Sequence, residues 1–387
     1  MQAKRPRQRP VVTMAVELQP LPGTAGSAPR ICVIGPLPPP SGGMANQCDQ
    51  LVRLLKGEGL QVELVRNNAP YWPGWVAHVR VLRAFFRLVP YLARLWGAAG
   101  RAQVMHVLAN SGWAWHLCVA PVMLIARLRG TPVIVNYRGG NADQFLARAP
   151  RHVLRALAGA GLRVTPSAFL LRVFSKHGLS AEVIPNIIDL SRFGALPLRS
   201  FGESPHIIVT RNLEPIYDIP TALAAFARVR SVFVGARMTV AGSGPELARL
   251  QGLADQLGLH DAVRFAGRIA NADIPELYAT ADCLINPSTV DNMPISILEA
   301  FASGVAVVST DAGGIPDLVE HARCGLLVPV GDAAGMAREV LRVLQDRSLA
   351  ESLTRAGRAE AERFGWASVR SQWLDAYRRA ALTRSAS

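Results

Sequence analysis

From residue 30 to residue 310, short apolar runs alternate with stretches long enough for two or three helical turns. The first run, Arg30-Ile-Cys-Val-Ile-Gly35, ends in a glycine. A Pro/Gly loop (Pro36 to Gly43), a helical pattern from Met44 to about Gly57 and a second run at Val62 to Arg66 follow. That is a βαβ opening. Further strands are expected at 104–107, 132–136, 163–165 and 182–184, then at 206–210, 237–241, 263–265, 282–285 and 305–309. In the second series the intervening helices are expected at 220–230, 246–257, 275–281 and 294–302. Strands that are apolar throughout belong to parallel sheets covered on both faces.

At 387 residues the chain exceeds one ordinary core and fits two α/β domains. The expected division is a disordered basic tail at 1–29, one domain at 30–190, a linker at 191–205 rich in Pro, Gly and Ser, and a second domain at 206–365. Doubly wound sheets bind ligands at the carboxyl ends of their strands, which for two facing halves means the cleft between them.

Composition excludes several classes. No run of about 18 apolar residues exists, so a spanning helix is not expected. His116 to Leu128 is too short for one and reads as a buried helix. Residues 1–30 lack the apolar segment of a signal peptide. The five cysteines show no metal-ligand spacing and read as reduced, buried thiols in a cytoplasmic chain. The net charge of +14 is unevenly spread: residues 1–200 hold 24 Lys or Arg against 7 acids (+17), and residues 201–387 hold 18 against 21 (−3). The basic half would attract an anionic surface or substrate. With only three lysines in the chain, part of the arginine excess is attributable to codon bias. A nucleic-acid binder is motivated by charge alone and lacks any binding motif.

Two constellations carry chemistry. Gly42-Gly43, just before the first helix, would let a phosphate approach the backbone and a helix start. A flexible turn explains the same pair equally well. The spacing is not G-x-G-x-x-G, which disfavours a nicotinamide dinucleotide. The stronger constellation is Asn286-Pro-Ser-Thr-Val-Asp291-Asn-Met-Pro-Ile-Ser-Ile-Leu-Glu299-Ala-Phe-Ala-Ser-Gly304. Pro294 fits the first turn of a helix. The loop at Asp291, Asn292 and Met293 would then sit at the helix start, with the amides of Ile295, Ser296 and Ile297 turned toward a diphosphate. Glu299 follows about one and a half turns later, an acid in an apolar helix that needs donors such as sugar hydroxyls. A second reading stays open, in which Asp291 and Asn292 cap the helix and Glu299 pairs with an arginine.

The segment resembles the E-x(7)-E signature of retaining GT-B glycosyltransferases, in particular glycosyltransferase family 4, with Asp291 where the family usually has Glu. Ala241-Gly-Ser-Gly244-Pro-Glu246, Phe265-Ala-Gly-Arg268, Ile184-Pro-Asn-Ile-Ile-Asp189, Asp311-Ala-Gly-Gly-Ile-Pro316, Gly325 to Asp332 and Phe364-Gly-Trp366 resemble its other motifs in order. The resemblance spans most of 30–380. It implies an α/β GT-B fold of two Rossmann-like doubly wound domains facing across a cleft, with the last helix (366–381) crossing back to the N-terminal domain. It also implies that Asp291 contacts the donor sugar, Glu299 the ribose and Arg211 the diphosphate, without a metal or other cofactor. Gly42, Gly43, Gly244, Arg268, Asn292, Met293, Ile295 and Ser296 would complete the donor site.

There are two departures. The family usually follows its arginine with a lysine five or six residues later. Here that place holds Tyr217, which brings no charge. Where relatives often place a histidine near the donor sugar, this chain has Asn136-Tyr137-Arg138-Gly139-Gly140. Arg138, with Tyr137 and Gly139, is a candidate for an anionic group on the acceptor side; a solvated loop arginine is the competing reading.

Between Trp72 and Trp96, Arg80, Arg83, Arg87 and Arg94 share one helical face, with Leu82, Phe85, Phe86 and Val89 on the remainder. Arg148, Arg151 and Arg155 form a second basic face. A basic face, an apolar face and flanking aromatics describe a helix lying on an anionic membrane. Packing of the apolar side on the core is the competing reading, and Pro90 is expected to split the helix. The expected function is therefore transfer of a hexosyl-type sugar from a nucleotide-diphosphate sugar to a lipid-linked or surface-polysaccharide acceptor, at the inner face of the plasma membrane. A catalytically silent scaffold and a sugar-nucleotide epimerase compete with it.

Overall fold

The computed structural model describes residues 30–39, 42–70, 80–194, 202 and 204–385, with backbone alone at 80–85 and 384–385. The tail before residue 30, Trp72, Trp75, the side chains of Arg80, Leu82, Arg83 and Phe85, and linker residues 195–201 and 203 lie outside this set.

Two parallel six-stranded sheets make up the architecture. The first contains β1 (Arg30–Gly35), β2 (Gln61–Arg66), β3 (Val104–Ala109), β4 (Val133–Tyr137), β5 (Leu162–Thr165) and β6 (Glu182–Val183), in the order β2-β1-β3-β4-β5-β6. Its helices are α1 (Gly43–Gly57), α2 (Arg80–Arg101), α3 (Ala120–Arg129), α4 (Ala142–Arg148), α5 (Arg151–Ala158) and α6 (Ala168–Lys176). The second contains β7 (His206–Thr210), β8 (Arg237–Ala241), β9 (Val263–Gly267), β10 (Cys283–Asn286), β11 (Ala306–Thr310) and β12 (Leu326–Val328), in the order β12-β11-β10-β7-β8-β9. Its helices are α7 (Ile219–Arg230), α8 (Leu247–Gln256), α9 (Ile274–Ala279), α10 (Ile295–Ser303), α11 (Ala333–Gln345) and α12 (Arg347–Glu362).

Strand periodicity sends alternate residues of one run into different cores. Ile31 and Val33 join one apolar cluster, Cys32 and Ile34 another, on opposite faces of the first sheet. Ile207 and Val209 separate from Ile208 in the same way in the second. This is the doubly wound α/β arrangement that uniformly apolar strands require. Chain order reverses between β1 and β3 in one sheet and between β7 and β10 in the other, so both switch points open where strand ends meet a cleft.

The final helix, α13 (Trp366–Ser385), packs into the core of the first sheet through Val369, Trp373, Ala376 and Tyr377. Trp373 stacks on His106 of β3 at 4.8 Å, and the His106 Nδ1 lies 2.7 Å from the Tyr377 hydroxyl. Burial pushes His106 down to about 3, so the ring is neutral.

Four local expectations need correction. β12 forms inside a stretch read only as a motif. Helix α10 begins at Ile295, with Pro294 as the residue before it. Helix α2 runs through Pro90 without a break. In its described part, Tyr91, Leu95, Ala98 and Ala99 pack into the core while Arg87, Val89 and Arg94 are exposed; of the expected apolar face, the side chains of Leu82 and Phe85 lie outside the described set. Finally, His116 to Leu128 is not a buried helix. It divides into a π-helical turn, Trp115–Val119, and α3, which lies in the outer layer against α2. Val119, Val122, Ile125 and Ala126 face inward, while Leu117, Leu124 and Leu128 stay 52%, 59% and 65% exposed.

Candidate active site

The carboxyl ends of β7 and β10 are neighbours, and the residues just beyond them meet. Arg211 follows β7 and turns toward β10, donating from Nε to the Asn286 Oδ1 (2.8 Å) and from Nη2 to the Ser288 Oγ (3.2 Å). Asn286 is itself held by a 2.9 Å bond from Nδ2 to the Ser309 Oγ of β11. The guanidinium pairs with the Asp291 carboxylate, and its carbon lies 4.7 Å from the centre of the Tyr217 ring. Only 12% of the Arg211 side chain and 14% of the Asp291 side chain remain exposed, so each charge depends on the other. Burial lowers the arginine's pKa, as desolvation of a cation must.

The loop after Asp291 leads into α10. Neither Asp291 nor Asn292 caps that helix: no side chain accepts from its first amides. The Ile297 amide, expected to be open, donates to the Pro294 carbonyl. The amides of Ile295 and Ser296 have no acceptor among the described residues and stand at the positive end of the helix. One and a half turns along, Glu299 pairs with no arginine among the described residues. Its Oε2 lies 3.1 Å from the Tyr278 hydroxyl, which also contacts the Ser296 carbonyl (2.9 Å) and the Thr210 Oγ1 (2.8 Å). Burial pushes the Glu299 carboxyl up to about 7, with the Tyr278 hydrogen bond and the charges of Arg192 and Arg211 pulling the other way. A carboxyl with this little compensation still has capacity for further hydrogen-bond donors.

Across the cleft, Gly42 precedes α1, whose first turn holds no acid and receives no side-chain cap. A methyl group built on Gly43 would come within 4.0 Å of the Ile295 side chain, so the starts of α1 and α10 converge from opposite domains. The domains are also latched. The Arg138 Nη1 donates to the Asn186 Oδ1 (2.6 Å), the Asn186 Nδ2 to the Met293 carbonyl (2.9 Å), and the Asn292 Nδ2 to the Arg138 carbonyl (3.1 Å). Arg138 is no solvated loop residue: burial pushes it down to about 10, and its Nε is buried without a partner.

Together these groups line a cleft that is open to solvent. Of the residues singled out from sequence, Gly42, Gly43, Arg138, Arg211, Tyr217, Arg268, Asp291, Asn292, Met293, Ile295, Ser296 and Glu299 line it. Three do not. Gly244 lies against the backbone of Leu213, where a side chain would collide, and it is Gly242 that reaches the cleft. Gly139 packs against Ser111 and Asn110, and Tyr137 is buried with its hydroxyl 2.8 Å from the Ser111 Oγ. Both shape the Arg138 loop from below. Sequence reading passed over Tyr278, Asn286 and Ser288, the groups that aim Glu299 and Arg211. Tyr278 stands in a short helix with nothing nearby to mark it, whereas Asn286 and Ser288 lay inside the motif already singled out.

Two facing doubly wound domains, with an arginine, two acids and two helix starts around one cleft, form the GT-B architecture. Residues 197–360 match the family described as glycosyl transferases group 1, and the chain carries that domain. It is 28% identical over 371 residues to a GDP-mannose-dependent alpha-(1-6)-phosphatidylinositol monomannoside mannosyltransferase of Mycobacterium tuberculosis, covering 89% of this chain and 94% of that protein. Among solved structures it resembles sucrose-phosphate synthase from Thermosynechococcus elongatus (TM-score 0.73, 20% identity, 91% of this chain and 98% of that one). It also resembles Anabaena HepE in complex with UDP-glucose (TM-score 0.71, 19% identity, 90% and 98%).

Proposed function

We propose that this glycosyltransferase moves a hexosyl-type sugar, with retention at the anomeric carbon, from a nucleotide-diphosphate sugar to a lipid-linked or surface-polysaccharide acceptor. The observation that carries this reading is the convergence of Arg211, Asp291, Glu299 and the open start of α10 on one cleft between the domains. The diphosphate lies against Arg211 and the amides of Ile295 and Ser296, Asp291 orients the sugar, and Glu299 receives the ribose hydroxyls. Asn46 and Ser296 each keep a buried polar atom without a partner at this cleft, which suits a polyhydroxylated ligand.

Transfer is a front-face displacement. The anomeric C–O bond to the diphosphate breaks, and its electron pair stays on the leaving oxygen. That oxygen takes the proton of the acceptor hydroxyl as the new C–O bond forms on the same face. Arg211 and the two amides stabilise the charge that develops on the diphosphate. The carboxylates orient rather than transfer protons, unlike the pair in a glycosidase. No metal is required in this scheme: Asp291 is held by Arg211 and Glu299 by Tyr278.

The strongly basic N-terminal half supports peripheral association with an anionic membrane at its cytoplasmic face, and the phosphatidylinositol acceptor named for the mycobacterial relative supports a lipid acceptor. Among the described residues no helix is long and apolar enough to cross a membrane. The test is release of nucleoside diphosphate from a panel of UDP- and GDP-sugars in the presence of a bacterial lipid extract, with and without EDTA. Release that depends on the extract, survives EDTA and disappears in Arg211→Ala supports the reading; conversion of the donor sugar without any acceptor indicates an epimerase.

A further inference from the structure

The outer face of the π-helical turn and α3 is apolar where it meets solvent. Trp113 is 79% exposed, and Leu117, Leu124 and Leu128 follow it at four, eleven and fifteen residues, a spacing that keeps them along one side of the helix. Such a row is unusual on a monomer surface unless something covers it. Helices α2 and α5 flank α3. On the first side, Arg129 of α3 lies over the exposed Trp96 ring of α2 at 5.0 Å; on the other, His116 and His152 bring their rings within 6.4 Å.

The charge around the row has one sign. Residues 80–165 contain 12 arginines, no lysine and a single acid, Asp143, which is already engaged by Lys176 and His177. Arg94, Arg127, Arg148, Arg151 and Arg155 are exposed and form no ion pair among the described residues. A protein partner of this extent would have to be almost wholly acidic around an apolar centre. A leaflet of anionic lipid offers that combination directly: acyl chains for Trp113 and the leucines, phosphates for the arginines.

We propose that the Trp113–Leu128 face is the surface by which this protein lies on an anionic bilayer, with α2 and α5 supplying the flanking cations. The inference rests on the membrane reading above and adds which element inserts. It also sets orientation. Trp113 leaves the carboxyl end of β3 two residues after Ser111, which packs against Gly139 beside the cleft-lining Arg138. The apolar row therefore starts at the acceptor side of the cleft mouth, where a lipid headgroup can enter without leaving its leaflet.

The test is co-sedimentation of the full chain with phosphatidylglycerol–phosphatidylcholine vesicles and with phosphatidylcholine vesicles alone. The parent, Leu124→Glu/Leu128→Glu and Val234→Glu are compared; Val234 is more exposed than either leucine (77%) but lies on the second domain. All three should gain the same melting shift with nucleoside diphosphate, since the substitutions are remote from the cleft. The expected result is binding of the parent to the anionic vesicles only, a loss of about tenfold or more in the double variant, and no loss in Val234→Glu. Parent binding that the double variant retains overturns the assignment of this face and leaves the membrane reading standing. A parent that ignores both vesicles overturns both. A parent that is a dimer, made monomeric by the double substitution with no vesicle binding, makes the face a contact between two copies and overturns the proposal.

Discussion

The guanidinium of Arg211 lies 4.7 Å from the centre of the Tyr217 ring, so an uncharged aromatic face rather than a second cation backs the arginine in the cleft. The ring both shields and attracts the cation, and the Asp291 carboxylate completes its surroundings.

A cation–π contact of this kind is worth about 0.5–2 kcal/mol. Tyr217→Leu should therefore weaken nucleoside diphosphate binding by roughly two- to thirtyfold in calorimetry. Tyr217→Lys should act in opposite directions on two measurements. It places a second positive charge beside Arg211, which lowers the melting temperature of the unliganded protein and tightens diphosphate binding. A lysine variant more stable than the parent without ligand would contradict this account of the pair.

The carboxyl of Glu299 titrates near 7 because burial outweighs its hydrogen bond from Tyr278. Ribose hydroxyls need the anion as acceptor, so kcat/KM for donor should rise as pH increases through about 7 and level above it. Tyr278→Phe removes a donor that favours the anion, and the rise should move to higher pH; Glu299→Gln should abolish it. Stability runs the other way. The folded carboxyl keeps its proton at pH values where the unfolded one, with an ordinary pKa of 4.5, has lost it. Stability therefore falls as pH climbs from about 4.5 through 7, and Glu299→Gln removes that slope. A pH–rate profile unchanged in Glu299→Gln would refute the assignment.

Two glycines separate packing from function. Gly139 has no room for a methyl group, with the Asn110 Oδ1 at 2.8 Å and the Ser111 amide nitrogen at 3.0 Å from its position. Gly139→Ala should cost about 1–3 kcal/mol and lower the melting temperature. Gly43→Ala meets only the Ile295 side chain at 4.0 Å, so the fold accepts it, yet the methyl projects where the two helix starts converge. It should leave stability unchanged and weaken diphosphate binding. Equal melting losses in both variants would be the contrary result.

Much of the fold was legible because parallel strands buried on both faces must be apolar throughout, and a helix between each pair must cross over. Runs such as Ile207-Ile-Val209 state this without any partner in view. Where packing decides, sequence was silent. Leu124 and Val122 are chemically alike, and only the position of α2 tells which is covered. At the site, acids and glycines were readable by spacing, since they lie within one loop and one helix. The latch from Arg138 through Asn186 to Met293 joins segments 48 and 107 residues apart, and no local pattern announces it. Tyr278 was missed for the same reason: its meaning comes from Glu299, 21 residues on.

The central claim is that Arg211 and Glu299, both on the second domain, hold one nucleoside diphosphate, Arg211 at its diphosphate and Glu299 at its ribose. Titration calorimetry with UDP and GDP on the parent, Arg211→Ala, Glu299→Ala and the double variant tests it most directly. Removing Asp291 as well, in Arg211→Ala/Asp291→Ala, avoids the cost of a stranded buried charge, about 3–5 kcal/mol when one partner is lost. The account predicts one preferred nucleotide, a loss of affinity of tenfold or more (about 1.4 kcal/mol) in each variant, and parental melting in Glu299→Ala at pH 6. Parental affinity for both nucleotides in Arg211→Ala/Asp291→Ala and in Glu299→Ala would contradict it.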